Sequence, residues 1–138
     1  MKVPGINNKF FFRILYILFS IALIIIEVLI ALYIHDDFIR PYVGDVLVVI
    51  VIYMFIRIWF PKKVRLLPLY VFLFASGMEL LQYFEIVTLL GLENNVFMRV
   101  LIGTVFDVKD IVCYAVGCVI LAGYEVVVYY LEERTYHK

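Results

Sequence analysis

The sequence predicts an all-α protein: an integral membrane bundle of four transmembrane helices with both termini cytoplasmic. Three observations lead there. Hydrophobic residues make up 66% of the 138-residue chain and charged residues only 17%, against about half apolar and a quarter charged in a soluble domain; the mean hydropathy is +1.04. Four apolar stretches approach the roughly twenty residues needed to cross about 30 Å of hydrocarbon. Positive charge alternates between the ends of those stretches, as the positive-inside rule requires.

The first span covers residues 10–34 and is broken only by Arg13, Ser20 and Glu27. It is not read as a secretory signal, because the run is too long for a signal core, Glu27 interrupts it and no small-x-small site closes it. The second span, 43–60, is shorter and stops before Pro61. The third, 66–90, carries Glu79, Gln82 and Glu85. The fourth, 111–131, stays apolar until Glu125 and ends at Glu132, Glu133 and Arg134. Valine-rich runs in the second and fourth would suit buried strands. Their length and lack of turn signals favour helices, which satisfy their own backbone in lipid. Residues 1–138 are expected to form a single domain.

Orientation follows from the basic residues. Lys2, Lys9, Arg13, Lys62, Lys63, Arg65, Arg134 and Lys138 fall on one side, and Arg40, Arg99 and Lys109 on the other. Eight against three places the first group in the cytoplasm. Arg57 is expected to snorkel to the headgroups from its helix end. The loops 35–44 and 91–107 then face outward.

Several function classes drop out. Lys plus Arg equal Asp plus Glu, twelve of each, so no basic face serves nucleic acid. Cys113 and Cys118 match no zinc spacing and read as small apolar packing residues. The sequence carries no metal-ligand set and implies no cofactor. A faint internal duplication is visible, with Glu27, Arg40 and Asp45 echoed by Glu79, Arg99 and Asp110 at different spacings.

The chemistry concentrates in the outer half. An ionisable residue at mid-membrane costs about 2.5–3.5 kcal/mol on insertion scales, and Glu79 lies thirteen residues after Leu66, near the centre. Gln82 shares its face, and Glu85 continues the stripe outward. Arg40-Pro-Tyr-x-Gly-Asp45 follows the first helix, and Asp107-x-x-Asp110 opens the fourth, with Tyr114 and Gly117 on the same face as Asp110. The candidate ligand-binding residues are therefore Arg40, Asp45, Glu79, Gln82, Arg99, Asp107, Asp110 and Tyr114; no catalytic set is legible. Plainer roles compete. Asp45 and Asp107 or Asp110 suit helix N-caps, Pro41 and Gly44 suit a turn, and Arg99 suits an ion pair with Asp107. Tyr42, Tyr83 and Tyr114 suit the interfacial aromatic belt. Glu79 with Gln82 suits an interhelical hydrogen bond.

Arg40-Pro-Tyr-x-Gly-Asp45, Glu79-x-x-Gln82, Arg99, Gly103, Phe106, Asp107, Asp110 and Gly117 resemble a family of small bacterial membrane proteins known as domain of unknown function 2809. The stretch from Glu79 to Gly117 is more distantly similar to the VanZ-like proteins, which are linked to resistance against glycopeptide antibiotics of the teicoplanin type. It departs from that pattern at Tyr114, where VanZ-like proteins have Asn. The resemblance implies a four-helix protein of the bacterial inner membrane, multi-pass, with its polar residues clustered across the bundle.

Three functions are consistent with these residues. The foremost is binding of a lipid or lipid-linked envelope precursor at the outer leaflet, with Arg40 and Arg99 gripping a phosphate or carboxylate. The second is an intramembrane enzyme acting on a lipid or polyprenyl carrier. The third is a proton-coupled transporter or channel built around Glu79, which would require a homodimer. Membrane lipids are the expected partners in each.

Overall fold

Backbone groups in hydrocarbon must find partners within the chain, and long runs of Leu, Ile, Val and Phe do so as helices. The computed structural model of the chain describes residues 8–36, 38–60, 64–102 and 105–136. Every regular element among them is helical: α1 (Asn8–Tyr33), α2 (Ile39–Trp59), α3 (Leu67–Tyr83), α4 (Ile86–Leu89), α5 (Val96–Ile102) and α6 (Val108–Tyr136). Lys2, Pro61, Lys62, Lys63, Gly103 and Lys138, used above for orientation, span ends or motif, lie outside the described residues. Among the described residues, three helices are long and apolar enough to cross a membrane: Lys9–Tyr33, Ile39–Trp59 and Val108–Arg134.

The third expected span differs. A helix over 66–90 was predicted, but α3 ends at Tyr83 after 17 residues, about 25 Å at 1.5 Å per residue. Glu85 adopts the left-handed conformation with φ 50°, which turns the chain. The Phe84 amide donates to the Leu80 carbonyl and the Glu85 amide to that of Gln82, closing α3 in a tightened last turn. Apolar composition alone did not show this break, since no Gly or Pro stands there.

α2 also starts earlier than expected. Arg40–Asp45 belongs to its first two turns, not to a loop. Pro41 is compatible with this because the first-turn amide it lacks has no intrahelical partner anyway. Asp36 Oδ1 accepts the Phe38 amide at 2.7 Å just before the helix.

Packing sets the directions. α1 packs on α2, α2 on α6, and α3 on both α6 and α2. The Tyr16 and Tyr124 hydroxyls meet at 3.5 Å, so the start of α1 lies beside the end of α6. Tyr114 reaches Glu79, so α3 also runs antiparallel to α6. α2 runs parallel to α6, because Gly117 faces Val46 and Val49 while Arg57 meets Glu125 further along. A Cβ at Gly117 would lie 2.3 Å from Val49 Cγ2 and 3.0 Å from the Val46 carbonyl oxygen. Glycine at 117 is what permits this approach.

The core is narrow and built on that seam: Val49, Tyr53, Leu67, Val71, Ala75, Tyr114, Cys118 and Leu121. Cys118 is buried and Cys113 half-buried, both as free thiols. Large apolar side chains face outward along the helices, such as Leu18 (57% exposed) and Val119 (71%). So extensive an apolar surface requires lipid around it.

Candidate functional site

At the end of the bundle formed by the start of α2, the end of α3 and the start of α6, four acidic residues converge. Glu79 is 1% exposed, and its Oε1 accepts a 2.9 Å hydrogen bond from the Tyr114 hydroxyl. Its Oε2 is buried with no hydrogen-bond partner. Asp45 and Asp110 lie within hydrogen-bonding reach of each other, with Glu79 and Asp107 nearby.

Each side chain owes its place to its helix. Asp45 lies on the α2 face one turn before Val49, the side chain that meets Gly117. Tyr114 and Cys118 follow Asp110 on one face of α6, at spacings of four. Asp107 is the cap of α6: its Oδ1 accepts the Lys109 amide at 2.9 Å, and its carbonyl oxygen accepts the Asp110 amide at 3.1 Å. The capping role considered for Asp45 is not what the structure shows. Asp45 sits inside α2, whose N-cap is Phe38.

The two arginines are not part of this cluster. Arg40 and Arg99 are exposed, and among the described residues neither forms an ion pair; the Arg99–Asp107 pair considered above is not made. Arg99 instead lines a groove of about 220 Å³ with Gln82, Glu85 and Glu93. Gln82 donates from Nε2 to the Ile102 carbonyl, tying α5 to α3. Asn95 caps α5 by accepting the Phe97 amide at 3.0 Å. Lys109, two residues after Asp107, is exposed, and its ammonium lies 5.9 Å from the centre of the Tyr42 ring. Among the described residues no group of His, Cys, Asp and Glu has the geometry to hold a metal ion.

A second polar network, at the opposite end of the bundle, was not anticipated. Arg57 is 7% exposed and forms an ion pair with Glu125 instead of reaching out to headgroups. Tyr53 joins them, donating to Glu125 at 2.8 Å and accepting from Arg57 Nε at 3.1 Å. The signal was present in the sequence. Tyr53 and Arg57 are four apart on α2, and an acid at matching depth stood on α6. Without the parallel α2–α6 pairing they could not be joined. On α1, Glu27 is half-buried and its Oε1 also lacks a hydrogen-bond partner.

No curated protein and no solved structure matches the chain. A family model described as protein of unknown function (DUF2809) matches residues 34–118, a stretch that runs from the start of α2 into α6 and contains the whole carboxyl cluster. The match spans more than half of the sequence, and the chain belongs to this family of proteins of unknown function.

Proposed function

We propose that the chain is a proton-coupled protein of the bacterial cytoplasmic membrane that takes up and releases a proton at Glu79 from the outer face. One observation carries the reading. Glu79 is buried at 1% exposure, with Tyr114 its one side-chain donor among the described residues and Oε2 without a hydrogen-bond partner, close to Asp45 and Asp110. Carboxylates so placed need a counter-charge. Among the described residues no arginine or lysine bonds to them, and a proton meets the need most simply. A phosphate or carboxylate ligand would be repelled there, which moves the anion-binding role expected of Arg40 and Arg99 away from this cluster.

The topology belongs to the same proposal. Residues 1–138 form one domain with four spans and both termini in the cytoplasm, α3 being the fourth. Its length of about 25 Å falls short of about 30 Å, a mismatch that local bilayer thinning accommodates. Its support is the burial of Leu67, Val71, Ala75 and Glu79 along its length.

Flux in proteoliposomes under an imposed pH gradient tests the function. Wild type is expected to exceed protein-free vesicles, Glu79→Gln to lose at least about tenfold of the excess, and Arg40→Ala with Arg99→Ala to keep it. Flux that survives Glu79→Gln overturns the proposal.

The groove at Arg99 favours a second reading, in which the headgroup of a lipid or lipid-linked envelope precursor docks against Arg99, Gln82, Glu85 and Glu93. Its volume is below the about 300–1,000 Å³ typical of ligand pockets, so it would hold a headgroup and not a whole ligand. A co-purifying lipid lost in Arg99→Ala supports this reading; an unchanged lipid profile removes it.

A further inference from the structure

Between the two polar networks the α2–α6 seam is closed by Val49 and Leu121, 0% and 2% exposed, and offers a proton no relay group there. α1 offers one. From position 16 to 27 its polar residues are Tyr16, Ser20 and Glu27, and every other residue is apolar. Spacings of four and seven put all three on one face. With Leu23 they are the only buried or half-buried side chains of that stretch, on the side where α1 packs on α2.

Interhelical hydrogen bonds would give these side chains a purely structural role, but two of the three lack them. Ser20 is 7% exposed, and its Oγ and the Glu27 Oε1 are buried with no hydrogen-bond partner. The titratable and charged side chains of α2 are Arg40, Tyr42, Asp45, Tyr53 and Arg57. Tyr53 and Arg57 lie close to Tyr16, and none of the five bonds to Glu27 Oε1. Bare oxygens are costly in hydrocarbon and are the kind of site that buried water satisfies. At one end of the stripe the Tyr16 hydroxyl meets that of Tyr124. Both tyrosines line a cavity of about 760 Å³ with Arg57 and Glu125, at the end where Lys9, Arg13 and Arg134 are exposed. Towards the other end α1 runs antiparallel to α2. The step from Tyr16 to Glu27 therefore leads back from the level of Tyr53 to that of Tyr42 and Asp45, the depth of the carboxyl cluster.

We propose that the α1 stripe is the inner leg of the proton path, with Glu27 as a second proton-binding carboxyl. Glu27 passes its proton through water held at Ser20 to the Tyr16–Tyr124 hydroxyls, and on to the cavity. Each step moves one proton between oxygens, one O–H bond breaking as the next forms, and nothing is oxidised or reduced. A helical side chain leans over the turn before it, so the Glu27 carboxyl is carried towards Ser20. Leu23, the one apolar member of the stripe, stands between them and restricts the route. This route rests on the proton reading of Glu79 and supplies the passage across the membrane that such a reading requires.

Two readouts on the reconstituted full chain separate the route from the reading beneath it: proton flux in proteoliposomes, and infrared titration of the Glu79 carboxyl. Glu27→Gln is expected to lose flux at least about tenfold while the Glu79 band titrates as in wild type. Glu27→Asp, which keeps an acid, should retain most of the flux, and Ser20→Ala should lose about two- to fivefold. Leu23→Ser, which adds a hydroxyl between the two, is expected to raise flux at least about twofold, and Glu79→Gln in the same chain to abolish the gain. Wild-type flux in Glu27→Gln overturns the route and leaves the proton reading standing. Loss of flux together with the Glu79 band overturns it too, since Glu27 would then only hold the cluster in shape. Flux that survives Glu79→Gln overturns the reading, and the route with it.

Discussion

Glu79 combines two features that are costly apart and informative together: it is buried at 1% exposure, and one of its oxygens has no donor. A buried polar atom left unpaired costs about 1–3 kcal/mol, so Tyr114, the single side-chain donor to it, matters for stability as well as chemistry. Tyr114→Phe removes that donor and leaves the Glu79 carboxyl without a side-chain hydrogen bond. It is expected to lower stability by about 1–3 kcal/mol, measured by unfolding in mixed micelles, and Glu79→Gln in the same background should recover part of the loss. Additive losses would mean that the two side chains do not act on each other. Glu79 was legible in the sequence because mid-span carboxylates are rare, and Asp110 and Tyr114 because four-residue spacing puts them on one face. That Arg40 and Arg99 stand apart was not legible. Spacing along a chain says nothing of whether two loops meet, and Arg40 had been placed in a loop that the structure replaces with the first turn of α2.

Among the elements, the α2–α6 seam organises the molecule. Asp45, Val49, Tyr53 and Arg57 recur every four residues along α2, opposite Asp110, Tyr114, Cys118, Leu121 and Glu125 on α6. The seam is polar at both ends and apolar between, with Val49 at 0% and Leu121 at 2% exposure. In this conformation the apolar stretch separates the carboxyl cluster from the Arg57–Glu125 network. Gly117 holds it closed, since any side chain there meets Val49 and the Val46 backbone. Gly117→Ala is expected to cost about 1–3 kcal/mol by overpacking. Gly123→Ala, where a Cβ meets nothing within 4 Å, is expected to be neutral or to stabilise by up to about 1 kcal/mol through helix propensity. Thermal unfolding of the two variants side by side checks this, and equal effects would deny the close approach. Sequence pattern found the four long helices but not all their ends, and it read the segment that holds α5 (Val96–Ile102) as loop. The extent of α1 was readable from hydropathy. The break after Tyr83 was not, because a non-glycine residue, Glu85, takes the left-handed conformation at a cost of about 1–3 kcal/mol that only tertiary contacts sustain.

For the whole molecule the open quantity is the number of crossings. α1, α2 and α6 are each sufficient by length and composition, while α3 has 17 residues. Residues before and after α3 report on it directly. In a chain with Cys113 and Cys118 replaced, Glu93→Cys is expected to react with a membrane-impermeant thiol reagent in intact cells. Arg65→Cys should react only after permeabilisation. Labelling of both from one side would mean that α3 does not cross, and would contradict the parallel pairing of α2 and α6 as well.

The central claim is that a buried carboxyl at Glu79 exchanges a proton with the outer medium. An infrared titration of the reconstituted protein, following the carboxyl C=O stretch as pH is varied, tests it most directly. A titrating buried carboxyl band in wild type that is absent in Glu79→Gln, altered in Asp45→Asn and Tyr114→Phe, and unchanged in Arg40→Ala is the predicted result. Difference spectra that are the same for wild type and Glu79→Gln would contradict the claim and leave the carboxyl cluster as packing.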